Sequence, residues 1–276
     1  KATLILGNSW YLKSELGHYE YNFLYFGIGD QGREGLAENY RYQHPRIRLN
    51  LNRWVRGGTS MGPAFAFDDM RILEVEEGGR LATENVVGAQ GGKVSGLGWV
   101  TKLDTRNSYL FPSSGERIKY ELFYYGPWIG SDFRFVRWDF EASKYIRIPW
   151  SRLGYGYDRP KHLILDHVLA LQYHWQSNWG DVPFDQLARL GGAERLRGLY
   201  EGQIRGQHSM LFQADYRGYI YGRLGFGLHA AYGMVGTTFK DLSLKNGLFS
   251  WGGGLRFAAN RRDGIYYRLY YGRTQL

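Results

Sequence analysis

Hydrophobic and polar residues alternate along several stretches of this chain. The clearest stretch is 209–218, in which one face is apolar and the other is mostly polar. Its two faces are Met210, Phe212, Ala214 and Tyr216, against Leu211, Gln213, Asp215 and Arg217. The same alternation recurs in 47–52, 118–125 and 136–142. A repeat of two residues is the period of a β-strand rather than of a helix. The sequence therefore predicts an all-β protein.

Clusters of Gly, Pro, Asn and Asp divide the chain into about twelve such strands. We place them at 2–12, 18–28, 44–56, 59–73, 94–104, 115–126, 131–146, 162–175, 206–217, 221–233, 247–259 and 263–274. Each is long enough for the roughly 9–11 tilted residues that cross a bilayer. Tight turns alternate with long connections, as in outer-membrane barrels. The tight turns are 56–60, 218–221 and 260–264, and the long connections are 29–43, 74–93, 176–205 and 234–246.

Composition narrows the class of protein further. A length of 276 residues suits one barrel domain over 1–276, and 39 Gly beside 9 Trp, 23 Tyr and 15 Phe is unusual for a soluble helical enzyme. The absence of Cys excludes disulfides, thiolate zinc sites and cysteine nucleophiles. The sequence contains no run of 18 apolar residues, so it predicts no transmembrane helix. A mean hydropathy of -0.45 is compatible with transmembrane strands, because their two faces average out.

The alternative is a soluble β-sandwich or lipocalin-like barrel, with its apolar face inside. Large aromatic residues on the predicted outer faces favour a membrane barrel instead. They are Trp138, Phe140, Phe212, Tyr216, Phe226 and Tyr271. The opposite faces then supply a charged lumen, which predicts a hydrated, cross-linked interior with a small bore. The expected lumen network is Arg137, Asp139, Glu141, Arg223 and Arg256.

From about Gly96, an ordered set of motifs resembles the BamA/TamA/FhaC outer-membrane superfamily. The set covers about two-thirds of the chain and is carried by five segments. They are Leu103-Asp104-Thr105-Arg106-Asn107, Phe111-Pro112 with Gly115, Leu190 to Leu199 (LGGAERLRGL), Gln213 to Arg217 (QADYR) and Gly252 to Phe257 (GGGLRF). The resemblance implies an antiparallel transmembrane β-barrel whose long loop, here 176–205, folds into the lumen as a plug.

The same resemblance implies how that loop is held. Arg197, followed by Gly198, would meet Asp215 on the inner wall, with Arg217 beside it. Ala231 stands where the family often has a second acid. The sequence departs from the family in strand number, which is usually sixteen, and in lacking a segment for periplasmic domains before its first strand. We therefore expect the barrel, the plug and a weak seam between the first and last strands.

An enzyme is the less favoured reading. His174 and Ser177 resemble part of the outer-membrane phospholipase A motif, but a spacing of three puts them on opposite strand faces. The glycines of 27–32 match a dinucleotide motif without the βαβ unit that it needs. The histidines show no metal-ligand spacing, so we expect neither metal nor cofactor. The net charge of +9 is dispersed through the strands, which does not favour nucleic-acid binding.

The sequence thus predicts a non-enzymatic barrel in the bacterial outer membrane, with both termini in the periplasm because the strand number is even. The expected role is to organise, bind or perturb outer-membrane lipid as a homo-oligomer, such as a homodimer joined through the seam, where strand edges are exposed. A translocation or small-pore module working with separate periplasmic proteins is the first alternative. A lipid hydrolase using Ser177 and His174 is the second.

Overall fold

The computed structural model describes residues 1–7, 9–149, 167–260 and 265–275. Across these ranges, twelve strands form one antiparallel sheet in which neighbours along the chain pair with each other. They are β1 (Ala2–Leu6), β2 (Trp10–Tyr25), β3 (Glu38–Trp54), β4 (Thr59–Val75), β5 (Gly92–Asp104), β6 (Gly115–Tyr125), β7 (Phe135–Ile148), β8 (His167–Gly180), β11 (His208–Tyr221), β12 (Leu224–Gly236), β13 (Leu248–Asn260) and β14 (Ile265–Thr274). Two short strands, β9 (Ala188–Leu190) and β10 (Ile204–Gly206), pair within the connection between β8 and β11. The predicted fold class is confirmed.

Several predicted strand boundaries are wrong, and two of them change the topology or the loop. The first predicted strand, 2–12, is a hairpin, because Gly7 adopts a φ of +67° that ends β1 and turns the chain into β2. The predicted loop 176–205 begins too early, since β8 continues to Gly180 and pairs there with Phe135. The long connection is 181–207, which we call the plug loop. The predicted turn 260–264 and the start of the predicted strand 162–175 lie largely outside the described residues.

The longest connections and the tightest turns lie at opposite ends of the sheet. Four long ones lie at one end, at 26–37, 76–91, 181–207 and 237–247, whereas 55–58 and 222–223 are tight turns at the other, which also holds the connection 105–114. The periplasmic position of both termini stays a prediction. β1 leads into the short-turn end, and β14 runs away from it until Thr274 pairs with Ser250 near the start of β13.

The strands carry two chemically different faces. On the outer face, Phe212 pairs across the sheet with Tyr173 and Tyr232, and its side chain is 50 % exposed. Next to it on the same strand, Leu211 faces inward and is fully buried. Because side chains alternate along a strand, this pattern extends around the wall as an apolar outer belt. Other exposed members of the belt are Leu97, Trp99, Leu122, Leu228, Trp251, Leu255, Leu269 and Tyr271.

The interior of the sheet is filled by the plug loop. Phe184 is fully buried against Tyr25 and Tyr40 of β2 and β3. Further along the loop, the carbonyl of Arg197 accepts a hydrogen bond from Thr274 of β14. The plug loop thus contacts β2 and β3 near the beginning of the strand order and β14 at its end. The sheet therefore curls around the loop. Within the described ranges, no ladder joins β1 to β14, and no helix is long and apolar enough to span a bilayer.

Candidate functional site

The tip of the plug loop is a tight reversal made possible by glycine. Gly191 and Gly192 have φ values of +113° and +93°, which L side chains rarely adopt. Their amide groups donate to the carbonyls of Arg195 and Leu199, at 2.9 and 3.0 Å. These bonds close the segment on itself, so that residues 196–198 project toward the wall.

Arg197 forms an ion pair with Asp215 on the inner face of β11. Nη1 lies 2.5 Å from Oδ1, and both side chains are about one-fifth exposed, at 22 % and 23 %. Nε donates to the carbonyl of Ala193 at 3.0 Å, and the guanidinium lies over the ring of Tyr270 at 5.5 Å. Gln213 also donates to Asp215, at 3.3 Å. The structure therefore brings together the arginine and the acid that the family resemblance paired.

Gly198 lets the backbone of the loop press against β14. Its φ is +99°, and a Cβ atom built on it would lie 2.9 Å from Cα of Arg273. The preceding carbonyl, of Arg197, accepts hydrogen bonds from the hydroxyls of Ser250 and Thr274. A side chain at position 198 would push the loop off β14 and lengthen these bonds.

Leu196 anchors the same tip in an apolar cluster. It is fully buried and has a φ of +56°, which is unusual for a residue other than glycine. Its neighbours in the cluster include Leu211 and Ala231 on the wall and Leu190 on the loop. Ala231, where the family often has an acid, thus supplies an apolar contact. Sequence reasoning missed Leu196, because no local signal distinguishes it from any other loop leucine.

The base of the loop holds a second set of contacts that the sequence did not predict. Arg205 is completely buried, with its guanidinium over the rings of Tyr25 at 5.1 Å and Phe184 at 5.8 Å. It donates to the carbonyl of Gly202 at 3.2 Å. Gln203 donates to the carbonyl of Gly32 at 3.3 Å, which ties the plug loop to the connection 26–37. These partners are far apart in sequence, so pattern reasoning could not join them.

Arg137, a predicted lumen residue, contacts the loop directly. Its Nη2 donates to both the carbonyl and the side-chain oxygen of Gln186, each at 2.8 Å. The neighbouring Asp185 accepts from Gln186 at 2.6 Å, and its other oxygen has no hydrogen-bond partner among the described residues. Burial raises the pKa of Asp185 to about 6. The loop therefore carries an acid whose ionised form is poorly compensated.

The rest of the predicted lumen network consists of separate pairs. Asp139 contacts His174 at 3.1 Å, and Glu141 accepts from Arg117 at 2.7 Å. Arg256 is buried near the short-turn end. Arg223 does not belong to the lumen set, because it lies exposed in the two-residue turn between β11 and β12. The alternation that placed Arg223 inside stops at that turn.

Arg217 lies apart from the Arg197–Asp215 pair. Its Nη2 donates to the carbonyl of Pro112 at 2.5 Å, and its guanidinium lies over the ring of Tyr145 at 5.6 Å. The connection 105–114, which contains the Phe111-Pro112 motif, therefore folds back toward the lumen at the short-turn end. Arg217 therefore lies near Arg256 at the short-turn end and does not contact the tip of the plug loop in the described part of the chain.

The residues of the hydrolase alternative do not form a catalytic pair. His174 lies on the inner face of β8 against Asp139, whereas the Ser177 hydroxyl accepts from the indole of Trp175 at 2.9 Å. Three residues apart on one strand, they occupy opposite faces. In the described ranges, no group of three His, Asp or Glu side chains is placed to hold a metal ion.

Comparisons with known proteins agree with this architecture. The sequence profile of the Omp85 superfamily domain matches residues 93–260. BamA from Haemophilus ducreyi lacking POTRA domains 1-3 is similar in structure, with a TM-score of 0.67 and 14 % identity over 96 % of this chain and 55 % of that one. CdiB from Acinetobacter baumannii has a TM-score of 0.64 and 16 % identity, over 99 % of this chain and 45 % of the other.

CdiB from Escherichia coli has a TM-score of 0.61 and 12 % identity, over 99 % and 48 % of the two chains. The chain thus spans about half the length of these solved structures. No curated protein matches the sequence. At these identities, the structural similarity establishes the fold.

Proposed function

Because this chain belongs to the Omp85 superfamily, whose members are bacterial outer-membrane proteins, we propose that it is a gated barrel for protein insertion or translocation. The plug loop would be the gate. The observation that carries this proposal is the partly exposed Arg197–Asp215 ion pair, which joins the loop tip to the inner wall beside the buried Leu196. The barrel acts without catalysis, and its interior chemistry controls whether the lumen is open.

The distribution of loop contacts supports a gate rather than a fixed core. The base of the loop is held by buried groups, among them Arg205 and Phe184, which are 0 % exposed. Besides the buried Leu196, the tip is held by the partly exposed Arg197 ion pair and by a few hydrogen bonds to β13 and β14. Contacts that are partly exposed open at lower free energy than buried ones. The tip is therefore the part expected to leave the wall while the base stays in place.

Conductance across planar bilayers tests the gate. We expect the wild-type barrel to be mostly closed, and Asp215→Asn to raise the open fraction at least about tenfold, because Arg197 loses its charged partner. Glu141→Gln is the matched control, since it breaks a 2.7 Å lumen ion pair that joins two wall strands and not the loop. Equal conductance in wild-type and Asp215→Asn channels would rule out this gate.

The proposed orientation puts the long-loop end at the cell surface and the short-turn end in the periplasm, where separate proteins would deliver the substrate. Single introduced cysteines report this orientation, because the chain itself has no Cys that would react as well. Leu244, in connection 237–247, is 76 % exposed, and Tyr109, in connection 105–114, is 79 % exposed. On intact bacteria, an impermeant maleimide should label Leu244→Cys and not Tyr109→Cys. The reverse pattern would invert the orientation.

The role predicted first from the sequence, organisation of lipid by a homodimer, gains no specific support from the structure. The apolar outer belt suits any bilayer and does not select a lipid, and the free edges of β1 and β14 do not select a second copy. Insertion or translocation is therefore the function to test first.

A further inference from the structure

A cavity of about 1050 Å³ lies in the lumen below the tip of the plug loop. Its walls are the loop tip, the inner faces of β11, β13 and β14, and the Phe111-Pro112 segment. Five arginines line it, and two of them are neutralised by contacts already described, Arg197 by Asp215 and Arg117 by Glu141. The other three are Arg217, Arg256 and Arg268.

These three arginines converge at the short-turn end of the cavity. Arg256 of β13 lies directly opposite Arg268 of β14 in the strand register. Between Arg256 and Arg217, the inward-facing positions of β12 are Gly225 and Gly227, so no side chain of β12 separates the two cations. A side chain at position 227 would collide with the hydroxyl of Tyr270, at 1.9 Å. The glycines thus let the Tyr270 hydroxyl lie against β12, at the border of the arginine cluster.

Among the described residues, no carboxylate forms an ion pair with any of these three arginines. Arg256 is only 6 % exposed, and its Nε atom, like that of Arg217, has no hydrogen-bond partner in the described part of the chain. Leaving a buried cation and its N–H group unmatched is costly, because both lose their hydration. Within the described ranges, the site therefore lacks a negative partner.

Aromatic rings fix the planes of the two buried guanidinium groups. Arg256 lies 5.0 Å from the ring centre of Tyr266 and 5.8 Å from that of Phe111, and Arg217 lies 5.6 Å from that of Tyr145. Stacked faces leave the N–H edges of a guanidinium available, which is the geometry in which arginine binds an oxyanion through paired hydrogen bonds. The remaining N–H groups of these two arginines, together with those of Arg268, suit a tetrahedral phosphoryl group, with charge to match.

We propose that Arg217, Arg256 and Arg268 form a binding site for a phosphoryl group within the lumen. The group could be carried by a free phosphate or by a phospholipid headgroup, for which the cavity has room. This assignment does not depend on the gating role, because it rests on the wall and on the Phe111-Pro112 segment rather than on movement of the loop.

Titration calorimetry on the detergent-purified barrel tests the site with three probes: inorganic phosphate, dihexanoyl phosphatidic acid and zwitterionic dihexanoyl phosphatidylcholine. We expect phosphatidic acid or phosphate to bind, and Arg256→Gln and Arg268→Gln each to weaken that binding at least about tenfold, because each removes charged hydrogen bonds. Tighter binding of phosphatidic acid identifies a headgroup site, and equal binding identifies a phosphate site.

Arg223→Gln is the matched control, because Arg223 is an exposed arginine in the next turn and should bind as wild type does. Arg268 is exposed, so its variant keeps the test valid if Arg256→Gln fails to fold, which the heat-dependent shift of a barrel on gels would reveal. No binding by any phosphoryl probe, or binding unchanged in both Gln variants, would overturn the proposal. Equal binding of phosphatidylcholine and phosphatidic acid that neither Gln variant weakens would overturn it too, by showing that the acyl chains are bound.

Discussion

Breaking the Arg197–Asp215 pair should release the tip of the plug loop by a calculable amount. The pair is a charge-assisted hydrogen bond between groups that are 22 % and 23 % exposed. Bonds of this kind contribute about 1.5–3 kcal/mol, and partial exposure favours the lower half of that range. We therefore expect Asp215→Asn to lower the free energy of tip docking by about 2 kcal/mol, which is roughly a 30-fold rise in the undocked population.

A cysteine at position 231 measures that population. Ala231 is 3 % exposed and belongs to the apolar cluster that Leu196 closes, so a thiol there reacts only when the tip leaves the wall. Because the chain has no other Cys, the modification rate of Ala231→Cys reports opening directly. The rate should rise about 30-fold in Asp215→Asn and by a similar factor in Arg197→Gln.

The double variant separates the ion pair from other effects. If the two residues act through one contact, Arg197→Gln combined with Asp215→Asn should open hardly more than either single change. Glu141→Gln, which breaks the wall pair with Arg117, should leave the rate unchanged. A change below about 3-fold in Asp215→Asn, or full additivity in the double variant, would refute the reasoning.

Two further predictions concern other positions of the plug loop. Gly198→Ala should accelerate labelling of Ala231→Cys about tenfold or more, because the new Cβ would meet β14 at 2.9 Å, whereas Gly78→Ala, with a φ of +73° and open space around it, should not. Asp185 lies at the base of the loop, so its effect is measured by unfolding the whole barrel in denaturant. Because burial raises its pKa to about 6, the folded protein holds a proton that the unfolded one has lost, and the free energy of unfolding falls as pH rises from about 4 to about 6. Asp185→Asn should therefore raise that free energy at pH 7, by at most about 3 kcal/mol, and should match wild type below pH 4. A stability difference that persists unchanged at pH 4, or labelling in Gly198→Ala at the wild-type rate, would contradict the respective argument.

The position of the gate could be read from sequence only in part. The alternation around Asp215 put its side chain on the inner face of a strand, and the family resemblance named Arg197 as its partner. The fully buried Leu196 and Arg205 carried no comparable signal, because their burial depends on what packs over them. The outcome at Arg223 shows the opposite error, because the predicted strand 221–233 included Arg223, whereas β12 begins only at Leu224.

What the sequence determined by itself is local. The period of two follows from backbone geometry over neighbouring residues, and it was enough to predict twelve strands, two chemically different faces and a barrel in the outer membrane. Even so, the period of two did not predict the hairpin at Gly7, because a single residue with a positive φ hardly changes a hydrophobic pattern.

What only the tertiary structure decided is which distant residues meet. Gln203 bonds to Gly32, 171 residues away, and Arg197 bonds to Thr274, 77 residues away. The cluster of Arg217, Arg256 and Arg268 likewise exists only because the sheet curls and because Gly225 and Gly227 place no β12 side chain between Arg217 and Arg256. Contacts of this kind depend on the path of the whole chain, because the two partners meet only when all the strands between them are in place.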